Sequence, residues 1–149
     1  MTKAIIGFIG DKNAGKTLAA GFLKEKGFHK VSIGSKIEEF AIHLFSEAEL
    51  NENRDVILKK IRESGRKAHK SYWVNLLLIS VPSKKNLIVF DDIELDEAIF
   101  NKIKIYQIYR PGVSSLQIPD IETIINDGTK KDLREKIEEL YKKILKFRS

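Results

Sequence analysis

The sequence predicts an α/β protein in which helices cover both faces of a five-stranded parallel sheet. Short apolar runs alternate with amphipathic segments along all 149 residues. The runs are continuous rather than alternating in polarity, which is typical of strands buried on both faces. Strands that alternate with helices favour a parallel sheet, whose ligands bind at the carboxyl ends of the strands. Because one domain typically holds roughly 100–200 residues, we treat residues 1–149 as a single domain.

The first half of the chain contains two strands and two helices in alternation. Apolar runs predict strands at residues 3–9 and 28–33. The first helix spans about residues 15–26 and ends at Gly27, a common helix-terminating residue. A second helix begins near Ser35. It carries the apolar stripe expected of a helix packed on one face, namely Ile37, Phe40, Ala41, Leu44 and Phe45.

The second half supplies the other three strands. Residues 47–70 are charged with helical periodicity, and residues 72–79 form an apolar helix. A buried strand at 87–90 runs directly into two aspartates. The later segments are a short helix at 95–100, strands at 103–109 and 121–125, and a long final helix. The last helix follows an Asn-Asp-Gly turn and begins with the capping pattern Thr129-x-x-Asp132.

Composition excludes several classes of protein. The chain has no cysteine, which excludes a disulfide scaffold and a thiolate metal site and agrees with a reducing, cytoplasmic setting. No apolar run approaches the roughly 20 residues of a membrane span, and the first residues do not resemble a signal peptide. The net charge of +6 suits an anionic ligand or simple solubility. Because no apolar span is present, we expect no membrane partner. No stripe of basic residues interleaved with aromatics appears, so nucleic acid is not favoured as a partner.

One motif carries specific chemistry. The segment between the first strand and the first helix matches G-x-x-x-x-G-K-[ST] with Gly10, Asp11, Lys12, Asn13, Ala14, Gly15, Lys16 and Thr17. In such a loop, backbone N–H groups and the helix N-terminus surround the phosphates of a nucleoside triphosphate. Lys16 is expected to reach the β- and γ-phosphates and the Thr17 hydroxyl to bind Mg²⁺. The motif therefore predicts a nucleoside triphosphate site.

The strand at residues 87–90 provides a carboxylate for the same site. Asp91 is the first residue after this strand, and we expect it to contact Mg²⁺ beside Thr17. We prefer Asp91 to Asp92 for this reason alone. An aspartate that merely caps the turn after the strand is the alternative.

The ordered set of motifs resembles the P-loop nucleotide kinases, and most closely the deoxynucleoside monophosphate kinases of the phage and bacterial type. Besides the P-loop, the resemblance is carried by Gly34-Ser35-Lys36, Tyr72-Trp73-Val74, Ile108-Tyr109-Arg110-Pro111-Gly112 and Ile124-Ile125-Asn126-Asp127-Gly128-Thr129. Only the P-loop is specific by itself. The likeness covers both ends of the chain and most of its second half.

The resemblance implies a three-layer P-loop NTPase fold with strand order 2-3-1-4-5. It implies phosphoryl transfer from ATP, with Mg²⁺, to a (deoxy)nucleoside monophosphate, with residues 35–80 forming the helical acceptor-binding region. The acceptor would be bound by Ser35, Lys36, Arg66, Lys70 and Trp73. The nucleotide donor would also contact Arg110, Asn126 and Gly128. Catalytic roles fall to Lys16, Asp91 and Arg66. A solvated surface role for the basic residues and a core role for Trp73 stay open.

The sequence departs from the family at one position that matters for catalysis. The family has an arginine two residues after the strand-end aspartate, where this chain has Ile93, and no basic residue lies between Asp91 and Lys102. An arginine at the transferring phosphoryl group can be worth about 10³–10⁵ in rate. We therefore expect an arginine at position 93 to raise the rate of transfer. In its absence Arg62, Arg66 or an arginine from the second subunit of a homodimer would have to substitute.

Two alternatives to a nucleotide kinase stay open. The missing arginine favours a non-catalytic nucleotide-binding or regulatory protein that keeps the P-loop. The basic charge allows an ATPase that acts with nucleic acid. The acceptor region is also shorter than is common in the family, which suits either a minimal kinase or one that has lost specificity.

Overall fold

The computed structural model describes residues 3–115 and 117–148, with side chains as far as residue 147. Within these ranges the chain forms five strands and six helices. In chain order they are β1 (Ala4–Ile9), α1 (Lys16–Glu25), β2 (His29–Val31), α2 (Ile33–Leu44), α3 (Glu47–Ala68), α4 (Tyr72–Ser80), β3 (Leu87–Phe90), α5 (Leu95–Phe100), β4 (Lys104–Tyr109), β5 (Thr123–Ile125) and α6 (Lys130–Arg148).

The strands form one parallel sheet in the order β2-β3-β1-β4-β5. The central strand β1 pairs with β3 on one side, where Gly7 lies opposite Phe90, and with β4 on the other, where Phe8 lies opposite Tyr106. All pairings are parallel, so the carboxyl ends of the strands meet at one edge of the sheet. The predicted fold class and strand order are confirmed.

Two apolar cores lie on opposite faces of the sheet. One packs β1, β3 and β4 against α1 and α6. The other packs the sheet against α2, α4 and α5. The largest fully buried side chains are divided between them, with Phe8, Leu23, Ile108, Leu133 and Ile137 in the first core and Trp73, Phe90, Ile33, Ile88 and Ile93 in the second. The protein thus has three layers, as predicted.

The boundary between β2 and α2 differs from the one that the sequence predicts, for a local reason. The predicted strand at residues 28–33 ends at Val31, because Ser32 is the N-cap of α2. Its hydroxyl accepts a hydrogen bond from the N–H of Ser35 at 3.2 Å, which fixes the first turn of a helix. The charged residues 47–70 contain α3, in which two helical stretches are joined at a kink where the backbone of Asn53 is non-helical.

No helix in the described ranges is both long and apolar enough to cross a membrane.

The contact between α3 and α4 can be tested at Gly65. A Cβ atom there would lie 2.7–2.8 Å from the rings of Tyr72 and Trp73. Gly65→Ala should lower the free energy of unfolding by about 1–2 kcal/mol, because overpacking outweighs the gain in helix propensity. Gly21→Ala is the matched control, since a Cβ at this helical position meets no atom within 4 Å, and it should raise stability by about 0.5–1 kcal/mol. Urea unfolding of both variants measures this, and equal effects would contradict the close packing.

Candidate nucleotide-binding site

The loop at residues 10–17 joins β1 to α1 at the carboxyl edge of the sheet. Gly10 and Gly15 both have positive φ angles, 149° and 110°. A Cβ on Gly10 would lie 2.5 Å from the carbonyl oxygen of Ile108, so only glycine lets the loop pass this close to β4. Asn13 also has a positive φ of 69°. These conformations let the loop turn sharply between β1 and α1.

Lys16 spans this loop from the first turn of α1. Its Nζ donates to the carbonyl oxygen of Gly10 and to Oδ1 of Asp92, the latter at 3.0 Å. The Lys16 side chain is only 11% exposed, whereas Asp92 is 49% exposed. The ammonium group is therefore held over the loop and directed towards the end of β3. A positive charge in this place is suited to bind phosphate oxygens.

Asp91 lies beside this pair but is buried. The residue is 6% exposed, and its Oδ1 has no hydrogen-bond partner in the described part of the chain. Burial raises the pKa of the Asp91 carboxyl, while Lys30 and a hydrogen bond from the Ser32 hydroxyl oppose the rise. A buried carboxylate oxygen that lacks a partner is costly, and a bound cation would satisfy it. This observation fits the predicted role of Asp91 with Mg²⁺.

The described residues hold no group of three or more His, Asp or Glu side chains arranged around a metal. Mg²⁺ usually takes one or two protein ligands and completes its shell with waters and substrate phosphates. Thr17, which is exposed on the first turn of α1, and Asp91 at the end of β3 are suitable protein ligands of this kind. The donor set therefore fits Mg²⁺ bound together with a triphosphate.

Side chains that follow β4 and β5 form hydrogen bonds with the backbone of the loop. The Asn126 amide donates to the carbonyl of Ala14 at 2.9 Å, and Arg110 donates to the carbonyl of Asn13 at 3.3 Å. Both residues follow strands, β5 and β4, whose carboxyl ends flank the loop. We had expected Arg110 and Asn126 to lie beside ATP. They do lie at the site, and in this structure they contact the loop itself.

Asp11 is fixed to the connection between β4 and β5. Its Oδ2 accepts hydrogen bonds from the N–H of Ser115 at 2.6 Å and from the Ser115 hydroxyl at 2.9 Å. These bonds, the backbone one first, lower the pKa of the Asp11 carboxyl. The connection at residues 110–122 carries Arg110 as its one basic residue. It therefore anchors the loop without bringing further positive charge to it.

Gly128 has a role in the start of α6. A Cβ at this position would collide with the carboxylate of Asp132, which accepts a hydrogen bond from the N–H of Thr129 at 2.8 Å. This hydrogen bond, together with one from the Thr129 side chain, lowers the pKa of the Asp132 carboxyl. The predicted capping pattern is present, and Gly128 leaves room for it.

The predicted acceptor residues lie on several elements. Ser35 is exposed in the first turn of α2, and Lys36 forms an ion pair with Glu39 at 3.1 Å. Lys70 is exposed after α3, with its Nζ 5.6 Å from the centre of the Phe100 ring. Trp73 is only 1% exposed and its Nε1 donates to the carbonyl of Arg62 at 3.0 Å. In this structure the Trp73 ring is part of the core.

A cleft of about 950 Å³ opens between α2, α3 and the start of α4. Four aromatic side chains line it, namely Phe40, Phe45, Tyr72 and Trp73. Tyr72 is 38% exposed and packs edge-to-face on Trp73 with ring centres 4.8 Å apart. The volume of the cleft lies within the range of about 300–1,000 Å³ found for small-molecule sites. The first residue that lines the cleft, Phe40, lies one helical turn after Lys36, in the region predicted to bind an acceptor.

Two of the three arginines of α3, Arg62 and Arg66, are neutralised by the residues that start α5. Arg66 forms ion pairs with Glu94 and Asp96. Arg62 lies 3.1 Å from carboxylate oxygens of both Glu94 and Glu97. The Glu97 side chain is completely buried, so this cluster is a firm attachment of α3 to α5. Arg66, which we expected to act on the substrate, is held by carboxylates in this structure.

Ile93 does not face the site. It is 2% exposed and belongs to the second core, where a Cβ on Gly7 would lie 2.7 Å from its Cγ2. An arginine at position 93 would therefore be placed in the apolar core. This placement argues against our expectation that such an arginine would raise the transfer rate, because the side chain at position 93 is packed in the core.

Sequence reasoning missed three contacts at the site. We set Asp92 aside in favour of Asp91, yet Asp92 is the one that pairs with Lys16. Ser115 and the acidic cluster around Glu97 were not assigned any role. The Asp-Asp pair and the acidic run at residues 92–97 were visible in the sequence, but their partners lie on distant segments.

Comparison with solved structures supports the fold. A crystal structure of TT1252 from Thermus thermophilus superposes with a TM-score of 0.60 at 16% sequence identity, covering 96% of this chain and 98% of that one. The unliganded structure of a sugar kinase from Janibacter sp. HTCC2649 superposes at 0.48 with 12% identity, covering 90% and 91% of the two chains. No protein-family model and no curated protein sequence matches the chain.

The likeness to TT1252 is one of fold alone. The strand order β2-β3-β1-β4-β5, with helices on both faces of the sheet, defines a three-layer α/β protein whose fold is consistent with that of P-loop NTPases.

Asn126 should control the shape of the loop rather than the choice of base. Asn126→Ala removes one hydrogen bond to a loop carbonyl, which is worth about 1 kcal/mol or roughly a fivefold loss of affinity. The loss should be equal for ATP, GTP and CTP in titration calorimetry with Mg²⁺. Asn75→Ala, at an exposed position of α4, is the control. A loss confined to ATP would instead place Asn126 against adenine.

We expect the Asp91 carboxylate to lower the stability of the fold when no cation is bound. The pKa of the Asp91 carboxyl is higher in the folded state than in the unfolded state. At pH values between these two pKa values the folded state binds more protons, so the free energy of unfolding falls as the pH rises through this range. At pH 7 the charged carboxylate therefore destabilises the fold, and Asp91→Asn should raise the free energy of unfolding measured by urea in EDTA.

The same variant should lose the enhancement that Mg²⁺ gives to triphosphate binding. A lower stability of Asp91→Asn at pH 7, or an unchanged dependence on Mg²⁺, would contradict this account. Asp92→Asn is the comparison, because Asp92 is about half exposed and lacks the cost of burial.

Proposed function

We propose that this protein is a phosphotransferase that uses a nucleoside triphosphate with Mg²⁺ and transfers the γ-phosphoryl group to a (deoxy)nucleoside monophosphate. The observation that carries the proposal is the position of Lys16, held over the loop by Gly10 and Asp92. A lysine in this place, above a backbone with two positive-φ glycines, is suited to bind the β- and γ-phosphates.

On the donor side, this chain's own residues provide binding and charge compensation. The N–H groups at the start of α1 have no partners within the helix and, together with Lys16, would bind the triphosphate oxygens. Thr17 and Asp91 are the residues that would hold Mg²⁺, whose charge offsets that of the phosphates during transfer. Arg110 and Asn126 keep the loop in shape for this.

On the acceptor side, the cleft between α2, α3 and α4 is large enough for a nucleoside. The ring of Tyr72, which is partly exposed, could stack on a base. Lys36 lies on α2, one helical turn before Phe40, the first residue of the cleft. A phosphate oxygen of the acceptor is already a nucleophile, so no general base is required. Catalysis then depends on positioning and on electrostatic stabilisation.

A second candidate function is binding of a nucleoside triphosphate without catalysis. The neutralised state of Arg62 and Arg66 favours it. The residues between Asp91 and Lys102 contain no arginine. The connection at 110–122 contains one, Arg110, and its side chain donates to the loop. Loss of such an arginine lowers the rate by about 10³–10⁵ but leaves binding largely intact.

Release of ADP from Mg-ATP distinguishes the two functions. Each common ribo- and deoxyribonucleoside monophosphate is added singly, and binding of ATP is measured in parallel by calorimetry. Release that depends on one or two acceptors supports the kinase and identifies its substrate. Tight binding of ATP without release in the presence of any acceptor supports the non-catalytic function.

Lys16→Ala should lower affinity for Mg-ATP by about 100-fold or more and abolish any acceptor-dependent release, because a charge-assisted contact with the phosphates is lost. The fold should persist, as judged by an unchanged circular dichroism spectrum. Lys24→Ala removes the same charge from an exposed position of α1 and should leave both measurements unchanged. Undiminished affinity of Lys16→Ala would refute the assignment of the loop.

A further inference from the structure

The opposite edge of the sheet collects lysines. Lys84 and Lys85 precede β3, Lys3 precedes β1, and Lys102 and Lys104 lie at the start of β4. These three strands are neighbours in the sheet. Their amino ends are tied together, since the N–H of Ala4 donates to the carbonyl of Asn86 at 2.7 Å. Five lysines from three chain segments are thus brought to one edge, away from the nucleotide-binding site.

A cleft of about 640 Å³ lies at this amino edge, against the end of α6. We call it the lysine cleft. Four lysines line it against one carboxylate, Glu122, which leaves a local net charge of +3. Apolar side chains also line the cleft, among them the buried Tyr106 and Ile144 and the exposed Phe147. The Phe147 ring is 76% exposed, which is unusual for a large aromatic side chain.

Most of this positive charge has no counter-charge within the protein. In the described part of the chain Lys3, Lys102 and Lys104 form no ion pair, whereas Lys143 pairs with Glu122. Lys104 instead lies over the Tyr106 ring at 5.6 Å. Clustered like charges oppose folding. Lys102 also has a positive φ of 56°, a conformation that costs a non-glycine residue free energy.

We propose that the lysine cleft binds single-stranded nucleic acid. Lys3 precedes β1, and Lys102 and Lys104 lie at the start of the adjacent strand β4, which is about 4.8 Å away. These three unpaired ammonium groups are therefore close enough together to bind neighbouring phosphates of one polynucleotide. The exposed ring of Phe147 beside them is a surface on which a base can stack, which is how proteins bind single strands without sequence preference.

The shape and composition of the cleft favour this ligand over other polyanions. The concave surface suits a strand better than a flat lipid bilayer. An acidic protein segment would use the lysines but not an exposed aromatic ring. This surface could not be predicted from sequence, because its basic and aromatic residues come from segments near positions 3, 102–104 and 143–147 that only the fold brings together.

Fluorescence anisotropy of a fluorescein-labelled dT15 oligonucleotide tests the proposal. We expect binding whose logarithm of affinity falls linearly with the logarithm of the KCl concentration, with a slope of about −2 to −3 for three or four phosphate contacts at about 0.7 each. Saturating Mg-ATP is added in a second titration. It should leave the affinity unchanged, because the nucleotide site is at the opposite edge.

The decisive comparison uses two double variants of equal net charge. Lys102→Gln with Lys104→Gln should weaken binding about 10- to 100-fold at 50 mM KCl and make the salt slope shallower by about 1.4. Lys24→Gln with Lys59→Gln removes two exposed lysines elsewhere and should have little effect. Phe147→Ala should weaken binding severalfold without a change of slope. Thermal melting checks that all three variants fold.

Several results would overturn the proposal. The first two are no binding of dT15 to the wild-type protein at 50 mM KCl, and equal losses in the two double variants. Displacement by Mg-ATP would place the strand at residues 10–17 instead. Competition by poly-L-glutamate as strong as that by unlabelled dT15 at equal charge would identify the lysine cleft as a surface for acidic protein. None of these results depends on whether the protein transfers phosphate.

Discussion

The parallel pairing of β1 with its two neighbours is the constraint on which both edges of the molecule depend. At its carboxyl end, β1 leads into the loop at residues 10–17, between the aspartates that follow β3 and Arg110 that follows β4. At its amino end, the same register places Lys3 between the lysines that precede β3 and β4. Parallel strands put like ends together, so one set of hydrogen bonds positions the residues of both candidate sites.

The two edges deal with charge in opposite ways. Near the carboxyl edge, the positive groups that could act on a phosphate are largely paired: Lys16 with Asp92, Lys36 with Glu39, and both Arg62 and Arg66 with the start of α5. A triphosphate would replace the exposed partner of Lys16. It has no comparable access to Arg62, because Glu97 is wholly buried and breaking such a pair leaves an uncompensated charge. Binding of a donor is therefore better supported than rapid transfer.

The sequence sufficed for features that are encoded locally. Apolar runs predicted the five strands, and Gly10, Gly15 and Lys16 predicted the loop, because each depends on its own backbone and neighbours. Features that depend on distant segments could not be predicted. Ile93 follows an aspartate by two residues, yet its side chain faces the core because the chain turns after Phe90 to place it beneath Gly7. Asn126 donates to the carbonyl of Ala14, which lies more than a hundred positions earlier in the sequence.

The same limit explains why the lysine cleft was not expected, and it bears on how the two sites can interact. A strand of six residues, such as β1, spans about 20 Å. Direct electrostatic interaction over this distance is largely screened at physiological ionic strength. Coupling would then require two alternative arrangements of the sheet, and β1 is packed on both faces by apolar cores that resist such change. Binding at one edge should therefore leave affinity at the other edge unaltered, and by thermodynamic linkage this independence must hold in both directions.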